Sequence, residues 1–408
     1  MRTIEIQFPD GERRSRAWLD DNPEKAQPLL AHCQGRYPLC LCRSPGQPLY
    51  VAMRSRYYLA RLPNTGPAHA PQCPSYEPDP NQCGRGIYST RAMEDRTDGR
   101  MHVKLGVPLM IRGPSSGITA PNPSPTALER GVRETLELRG LLHLLWDRAE
   151  FNRWHPAMQS RRRYRQVRKY IWEAAENIAV RRKTLTRHLY IPEPFRPEHA
   201  LEIEARRQRA WRERSQTSSG LPLRILVLGR VRAIVETEQI TGLRLAHLRN
   251  ELILRADQAC LMRLKQLSEF AWIDWPTLNP EFHLIVLLTL QRTARGNWKV
   301  DAATAMVCTE DYIPVLSIEE AILAKRLVSE QRSFIKPLPY DGTEIRYPNF
   351  LLTDCGTQAL PLEIIVDNEA EAVARHQRIA EYMNEKRVHW LWDLQNGALP
   401  PALPELEK

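Results

Sequence analysis

Four residues constrain this chain more than any others: Cys40 and Cys42, then His69 and Cys73. Each pair is tight enough to grip one ion, and the stretch between them reads as a hairpin able to bring the pairs together. Three thiols and an imidazole in a tetrahedron are what zinc takes in a closed structural site. Cys33, His32 and Cys83 stand nearby as alternates or neighbours of the site. No glutamate lies at a general-base spacing, and four protein ligands leave no open position, so the expected zinc is structural rather than catalytic. The expected zinc module covers residues 1–88.

The other cysteines support this division. Of the eight, Cys260, Cys308 and Cys355 sit singly in apolar surroundings. Metal ligands plus isolated buried thiols imply a reducing compartment, and a cytoplasmic location is expected. Thr3 to Phe8 alternates as a strand and turns at Pro9-Asp10-Gly11, unlike a charged-then-apolar leader. Apolar stretches such as Leu284 to Leu288 fall far short of the roughly 20 residues that cross a bilayer, so no membrane role is expected.

With 408 residues the chain spans two to three domains on a prior of roughly 150 residues each. Its 58 Lys and Arg against 48 Asp and Glu give +10, and much of this excess lies between Arg148 and Arg187. Concentrated positive charge points to a polyanion, with nucleic acid, DNA above all, the first candidate partner. Pro, Gly, Ser and Asn dominate residues 89–126, read as a linker. Residues 127–215 read as a basic helical region, with helices over Leu128–Phe151 and Arg161–Thr186. On the second helix Tyr164, Val167, Ile171, Ala174 and Ile178 make an apolar face, while Arg161, Arg165, Arg168 and Trp172 line another. Arg161, Arg165, Arg168, Lys169 and Arg182 are the candidate phosphate contacts, and Tyr164, Tyr170 or Trp172 candidates for stacking on bases.

Residues 221–310 read as a mixed β region. Strands are expected over Leu223–Leu228, Ala233–Thr237, Phe282–Gln291 and Trp298–Cys308, with a helix over Ala256–Phe270 and a hairpin turn at Arg295-Gly296-Asn297. The region carries no functional reading. Within residues 316–396, Ser317-Ile318-Glu319-Glu320 is a capping box opening a helix to about Gln331. Strands follow at Phe334–Leu338, Phe350–Thr353 and Leu360–Val366, then a helix from Asn368 with Glu371 to Lys386, then a strand at Val388–Leu394. The order is α-β-β-β-α-β.

That order, with Tyr347-Pro348-Asn349 leading into Leu362-Glu363-Ile364-Ile365, resembles the core of the PD-(D/E)xK nuclease superfamily. The resemblance implies a restriction-endonuclease-like fold and a magnesium site built from Asp, Glu and Lys. With a turn about Gly356-Thr357, Asp354 pairs with Leu360 and Asn349 with Ile365, placing Asn349, Glu363 and Ile365 on one face. Only Glu363 matches the superfamily. Asn349 stands for Asp and Ile365 for Lys, while Asp354 falls on the other face. Magnesium sites lean on one or two carboxylates plus substrate phosphates, so activity would need Glu319 or Glu320 and a cation migrated to Arg375, Arg378 or Lys386. The candidate catalytic set is Glu363, Asn349 and Glu320.

The whole chain also resembles an uncharacterised bacterial family, a domain of unknown function found on integrative and conjugative elements. The residues that carry this are Cys40-Leu41-Cys42, Tyr58 to Pro63 with Gly66 and His69, Asn152-Arg153-Trp154, Ile191-Pro192-Glu193 and Phe334 to Leu338. A zinc module ahead of a nuclease-like core is similar to competence-associated nuclease-like proteins. The expectation is therefore an α+β, multi-domain, zinc-containing nucleic-acid-associated protein of a mobile element with a degenerate nuclease-like domain. The alternatives are an active metal-dependent endonuclease with migrated catalytic residues, and a protein-interaction scaffold. Walker-type, dinucleotide-binding and nucleophile-elbow motifs are absent from the sequence.

Overall fold

The computed structural model describes residues 4–53, 56–96, 100–111, 132–217, 219–293, 295–342, 347–366, 369–394 and 399–406. The first strands form a five-stranded antiparallel sheet in the order Arg13–Ser15, Glu5–Gln7, Leu39–Cys40, Gln47–Met53 and Tyr57–Arg61. Helix α1 (Arg16–Asp21) starts where Ser15 Oγ accepts from Trp18 N at 3.0 Å, and α2 (Pro23–His32) places proline at its first turn, where the missing donor costs nothing. Leu19, Ala26 and Leu30 pack with Ile6 and Leu49, but the core is completed by Ile335, Leu351 and Ala359 from far along the chain. The N-terminal sheet is thus seated on the C-terminal one.

The reading of residues 89–126 as linker needs correction, for Met93–Asp95 and Met101–Val103 are strands. They continue into Ile178–Val180 and Lys183–Thr184 as a four-stranded sheet. Residues 112–131 lie outside those described. The two expected helices are also shorter: α3 covers Leu138–Arg148 and α4 Tyr164–Glu176. Helix α4 ends because the Asn177 side chain donates to Glu173 O at 2.6 Å, and the apolar pattern then switches to period two. Val167, Ile171, Ala174 and Ala175 are buried along it, as the helical spacing requires. Helix α5 covers Ala200–Arg214.

The middle β region is a closed barrel. Its five strands are Ile225–Glu236, Thr241–Leu245, Leu254–Arg255, Phe282–Arg292 and Trp298–Thr309. In space they run first, second, third, fifth, fourth and back to the first, because Ile225 to Arg230 also pair with Ile285 to Leu290. The third and fifth are parallel, the other pairs antiparallel. The two strands expected over Leu223–Thr237 are one, since Gly229 continues the ladder and a bulge between Val231 and Ala233 bends it. Helix α6 (Gln258–Leu267), capped by Asp257, connects the third and fourth strands. The hairpin closed by the Arg292–Trp298 pair turns where Gly296 takes φ +81°.

Helix α7 (Ile318–Ser329) opens with Ser317 Oγ accepting from Glu320 N at 3.2 Å. The C-terminal elements then follow the expected order, with shorter bounds: strands Phe334–Ile335, Phe350–Leu352 and Leu360–Ile365, helix α8 (Glu369–Asn384), and strand Trp390–Asp393. The capping pair Asn368 and Glu371 lies outside the described residues and side chains. The sheet runs from Trp390–Asp393 through Leu360–Ile365, Phe350–Leu352 and Phe334–Ile335 to Arg153–Trp154, which comes from between α3 and α4. All six residues of Leu360–Ile365 are buried, so both sheet faces are covered.

These cores cross the expected segment boundaries. One cluster joins Trp154 and Trp211 to the barrel and to Phe334, Phe350 and Trp392. Another joins α3 and α4 to Leu226, Leu287 and Tyr340. At about 1.5–3 kcal/mol for each large apolar side chain buried, such shared cores bind the segments into one packed body.

Candidate metal centre and buried charge network

Cys40 ends the strand Leu39–Cys40 and Cys42 lies two residues on; His69 caps the short 3-10 turn Gly66–Ala68, with Cys73 in the following turn. Gly66 is required here, because a Cβ would meet Glu77 Cβ at 2.5 Å. The two Cys/His pairs converge so that all four donor atoms lie within 4.8 Å of one another. Cys40 Sγ is 3.6 Å from Cys73 Sγ, and His69 Nδ1 is 3.3 Å from Cys42 Sγ and 3.7 Å from Cys73 Sγ. Tetrahedral zinc with bonds of about 2.0–2.3 Å sets such separations at about 3.5–3.8 Å. The donor set fits a metal ion such as zinc.

Electrostatics agrees with that fit. The hydrogen bonds of Cys40 and Cys73 drive the Cys42 thiol far below its usual range, while the bond to Cys42 pushes Cys40 far above it. Three packed thiols cannot all ionise without a cation, and a divalent ion removes that conflict. Backbone N–H groups of Ala70 and Ser75 donate to Cys42 and Cys73, each at 3.4 Å. Among the described residues, Cys33, Cys83 and His32 take no part in the cluster: Cys33 is buried in the N-terminal core, and Cys83 donates to Pro80 O at 3.6 Å.

The C-terminal candidates also converge, but with a different register. Phe350 pairs with Leu362 and Leu352 with Leu360, two residues away from the pairing expected across Gly356-Thr357. A shift of two preserves the face, so Asn349 comes opposite Glu363. Asn349 Oδ1 accepts from Ile364 N at 2.8 Å, and its Nδ2 donates to Glu320 Oε1 at 2.8 Å. Arg375 donates to Asn349 Oδ1 and, at 3.0 Å, to Glu363 Oε2. Arg378 reaches both Glu363 oxygens at 3.0 and 3.2 Å, and Tyr382 Oη donates to Oε1 at 3.3 Å. Lys336 Nζ donates to Glu320 Oε1 at 2.7 Å. Glu363 is 0 % exposed and Glu320 2 %.

Both carboxylates are therefore closed by cations. No group of three acidic, Cys or His ligands gathers there among the described residues, and the donor set does not fit magnesium. Ile365 is buried against Ile379. Glu319 is half-buried and Lys386 exposed, and neither joins the network among the described residues. Asp354 serves elsewhere, accepting from Arg332 at 2.8 and 3.1 Å and from Ser333 N at 2.6 Å. Lys336, directly after the strand Phe334–Ile335, and Tyr382, one turn beyond Arg378 on α8, are the network members that sequence reasoning missed; the four-residue spacing from Arg378 to Tyr382 was the available signal.

The basic candidates divide. Arg161, Arg165, Lys169 and Arg182 are exposed, as are Arg163, Arg181, Lys183 and Arg187. Lys169 also faces Glu173 at 3.8 Å. Arg168 is instead half-buried and donates to Ile191 O at 3.3 Å. Arg162 lies against the Phe151 and Trp154 rings at 5.2 and 5.1 Å, and burial lowers it to about 10. Tyr164 is committed to a stack on His247, ring centroids 3.9 Å apart, and Trp172 donates to Glu176 at 2.9 Å. Tyr170 alone of the three stacking candidates is exposed. Among the described residues no helix is long and apolar enough to cross a membrane.

Fold and site define a mixed α+β protein of several sheets with a three-cysteine, one-histidine cluster that can hold a metal ion. The chain belongs to the family described as "Protein of unknown function (DUF1173)", which it matches over residues 15–395. Neither a curated protein nor a solved structure matches it.

Proposed function

We propose that this chain is a zinc-containing nucleic-acid-binding protein of a mobile genetic element, whose nuclease-like C-terminal unit binds without cleaving. The observation that carries this reading is the closure of Glu363 by Arg375, Arg378 and Tyr382, with Glu320 closed by Lys336. A hydrolytic centre of the superfamily type needs open carboxylates to hold magnesium and water; here the same positions form a buried ion-pair network. Binding is assigned to the exposed basic side chains of residues 161–187, which would neutralise phosphates. Zinc at Cys40, Cys42, His69 and Cys73 is structural, fixing two loops of the N-terminal sheet.

One observation favours the active-nuclease alternative: Glu320, Asn349, Arg375 and Glu363 do form one continuous chain, as migrated catalytic residues would require. The two readings part in one assay. Wild-type protein and Glu363→Gln are incubated with single- and double-stranded DNA and RNA in magnesium and manganese, beside a binding titration. Salt-sensitive binding without cleavage supports the proposal. Cleavage lost in Glu363→Gln overturns it.

A further inference from the structure

The barrel holds a groove that the reading above leaves unused, with a cavity of about 720 Å³ lined by Arg230, Arg232, Arg249, His247 and Phe195 among others. Its size suits one or two nucleotide units. Its lining holds three arginines and one carboxylate, Glu251. Arg249 faces Glu251 at 3.4 Å, but no carboxylate pairs with Arg230 or Arg232 among the described residues. Arg230 Nη1 lies 3.4 Å from His283 Nδ1, and Arg232 donates to Asn250. Two positive charges therefore remain uncompensated, one of them on the half-buried Arg230.

His247 adds a donor. Phe195 N donates to its Nδ1 at 3.2 Å, which makes Nδ1 an acceptor and puts the proton of the neutral ring on Nε2. That Nε2 is buried and has no partner among the described residues. A buried N–H without an acceptor costs about 1–3 kcal/mol, and a ligand oxygen would relieve it. His247 also takes φ +66°, a conformation unusual for a side-chain-bearing residue and concentrated at functional sites. Phe195, 40 % exposed, offers an aromatic ring at the rim.

We propose that this groove is a binding site for single-stranded nucleic acid, in which Arg230, Arg232, Arg249 and the His247 Nε2–H engage backbone phosphate and Phe195 stacks on a base. The proposal rests on the nucleic-acid reading above and names its ligand class. Five-stranded barrels of this kind recur as oligonucleotide-binding scaffolds. Arginine plus aromatic contacts suit flexible strands whose bases are free to stack, whereas a duplex presents its bases already stacked. The stack of Tyr164 on His247 also joins the groove to the first turn of α4, next to exposed Arg161 and Arg165.

The test is fluorescence anisotropy of the full chain with a labelled oligothymidine of about ten nucleotides, within the site sizes of such barrels, and with a duplex of equal length. Three variants are compared with wild type: the pair Arg230→Gln and Arg249→Gln, His247→Asn, and the helix pair Arg165→Gln and Lys169→Gln. Far-ultraviolet circular dichroism checks folding, and Arg232→Gln, at an exposed position, serves as a further groove variant should the first pair unfold. The proposal predicts tighter binding of the single strand, about tenfold weaker in the groove pair, with a salt slope reduced by about 0.7 per arginine. His247→Asn, which tolerates the same backbone conformation, weakens binding about fivefold. Groove variants that bind like wild type while the helix pair loses affinity would overturn the groove alone. Wild-type protein that binds neither strand form would overturn the nucleic-acid reading with it.

Discussion

Replacing Glu363 by alanine separates a structural carboxylate from a catalytic one. The side chain is 0 % exposed and accepts from Arg375, twice from Arg378 and from Tyr382. Alanine removes all four bonds and the buried carboxylate that two guanidinium groups, 2 % and 8 % exposed, share. Removing one partner of a buried ion pair costs about 3–5 kcal/mol, because the remaining charge stays desolvated. At about 2 °C per kcal/mol for a chain of this size, the expected fall in Tm is about 6–10 °C. A carboxylate in an open magnesium site behaves oppositely: its removal relieves repulsion and leaves Tm unchanged or higher. The assay is thermal and urea unfolding of wild type, Glu363→Ala, Glu363→Gln and the half-buried control Glu319→Ala. A Glu363→Ala Tm within about 1 °C of wild type would refute the ion-pair account.

Three further outcomes are expected. Purified protein carries one zinc per chain by elemental analysis; chelation or Cys73→Ser lowers Tm, and full occupancy in Cys73→Ser would contradict the cluster. Burial alone would raise Glu77, but Arg85 at 2.5 Å and Arg61 override it and hold it at about 2, below the usual 4.5. Because its folded pKa is depressed, its contribution of about 3 kcal/mol is complete above pH 4.5 and lost as pH falls toward 2; Glu77→Gln flattens the fall of Tm with acid in that window. Arg165→Gln weakens DNA binding severalfold, whereas Arg168→Gln, whose guanidinium is spent on Ile191 O, acts through stability, as paired binding and melting curves will reveal.

The Cys/His cluster was legible because donor chemistry is local: two short spacings name the candidate ligands, and only their meeting needed the fold. The α-β-β-β-α-β order was legible from Ser317 and the period switches, and parity of the strand register survived an error of two because side chains alternate. Other features were hidden for physical reasons. Strands Met93–Asp95 and Met101–Val103 sit in a polar, Gly-rich stretch and are stabilised by Ile178–Val180, some 75 residues away. Barrel closure between Ile225–Arg230 and Ile285–Leu290 is likewise a long-range pairing that no local pattern encodes. The cations on Glu363 come from one helix face, Arg375 and Arg378, but whether they open or close a site depends on burial.

The measurement closest to the central claim is one titration of labelled single-stranded oligonucleotide with zinc-loaded protein, across a salt series and with magnesium present, followed by electrophoresis of the same samples. The account predicts affinity that falls steeply with salt and an oligonucleotide that stays intact. Cleavage products that vanish in Glu363→Gln, or no binding at low salt, would contradict it.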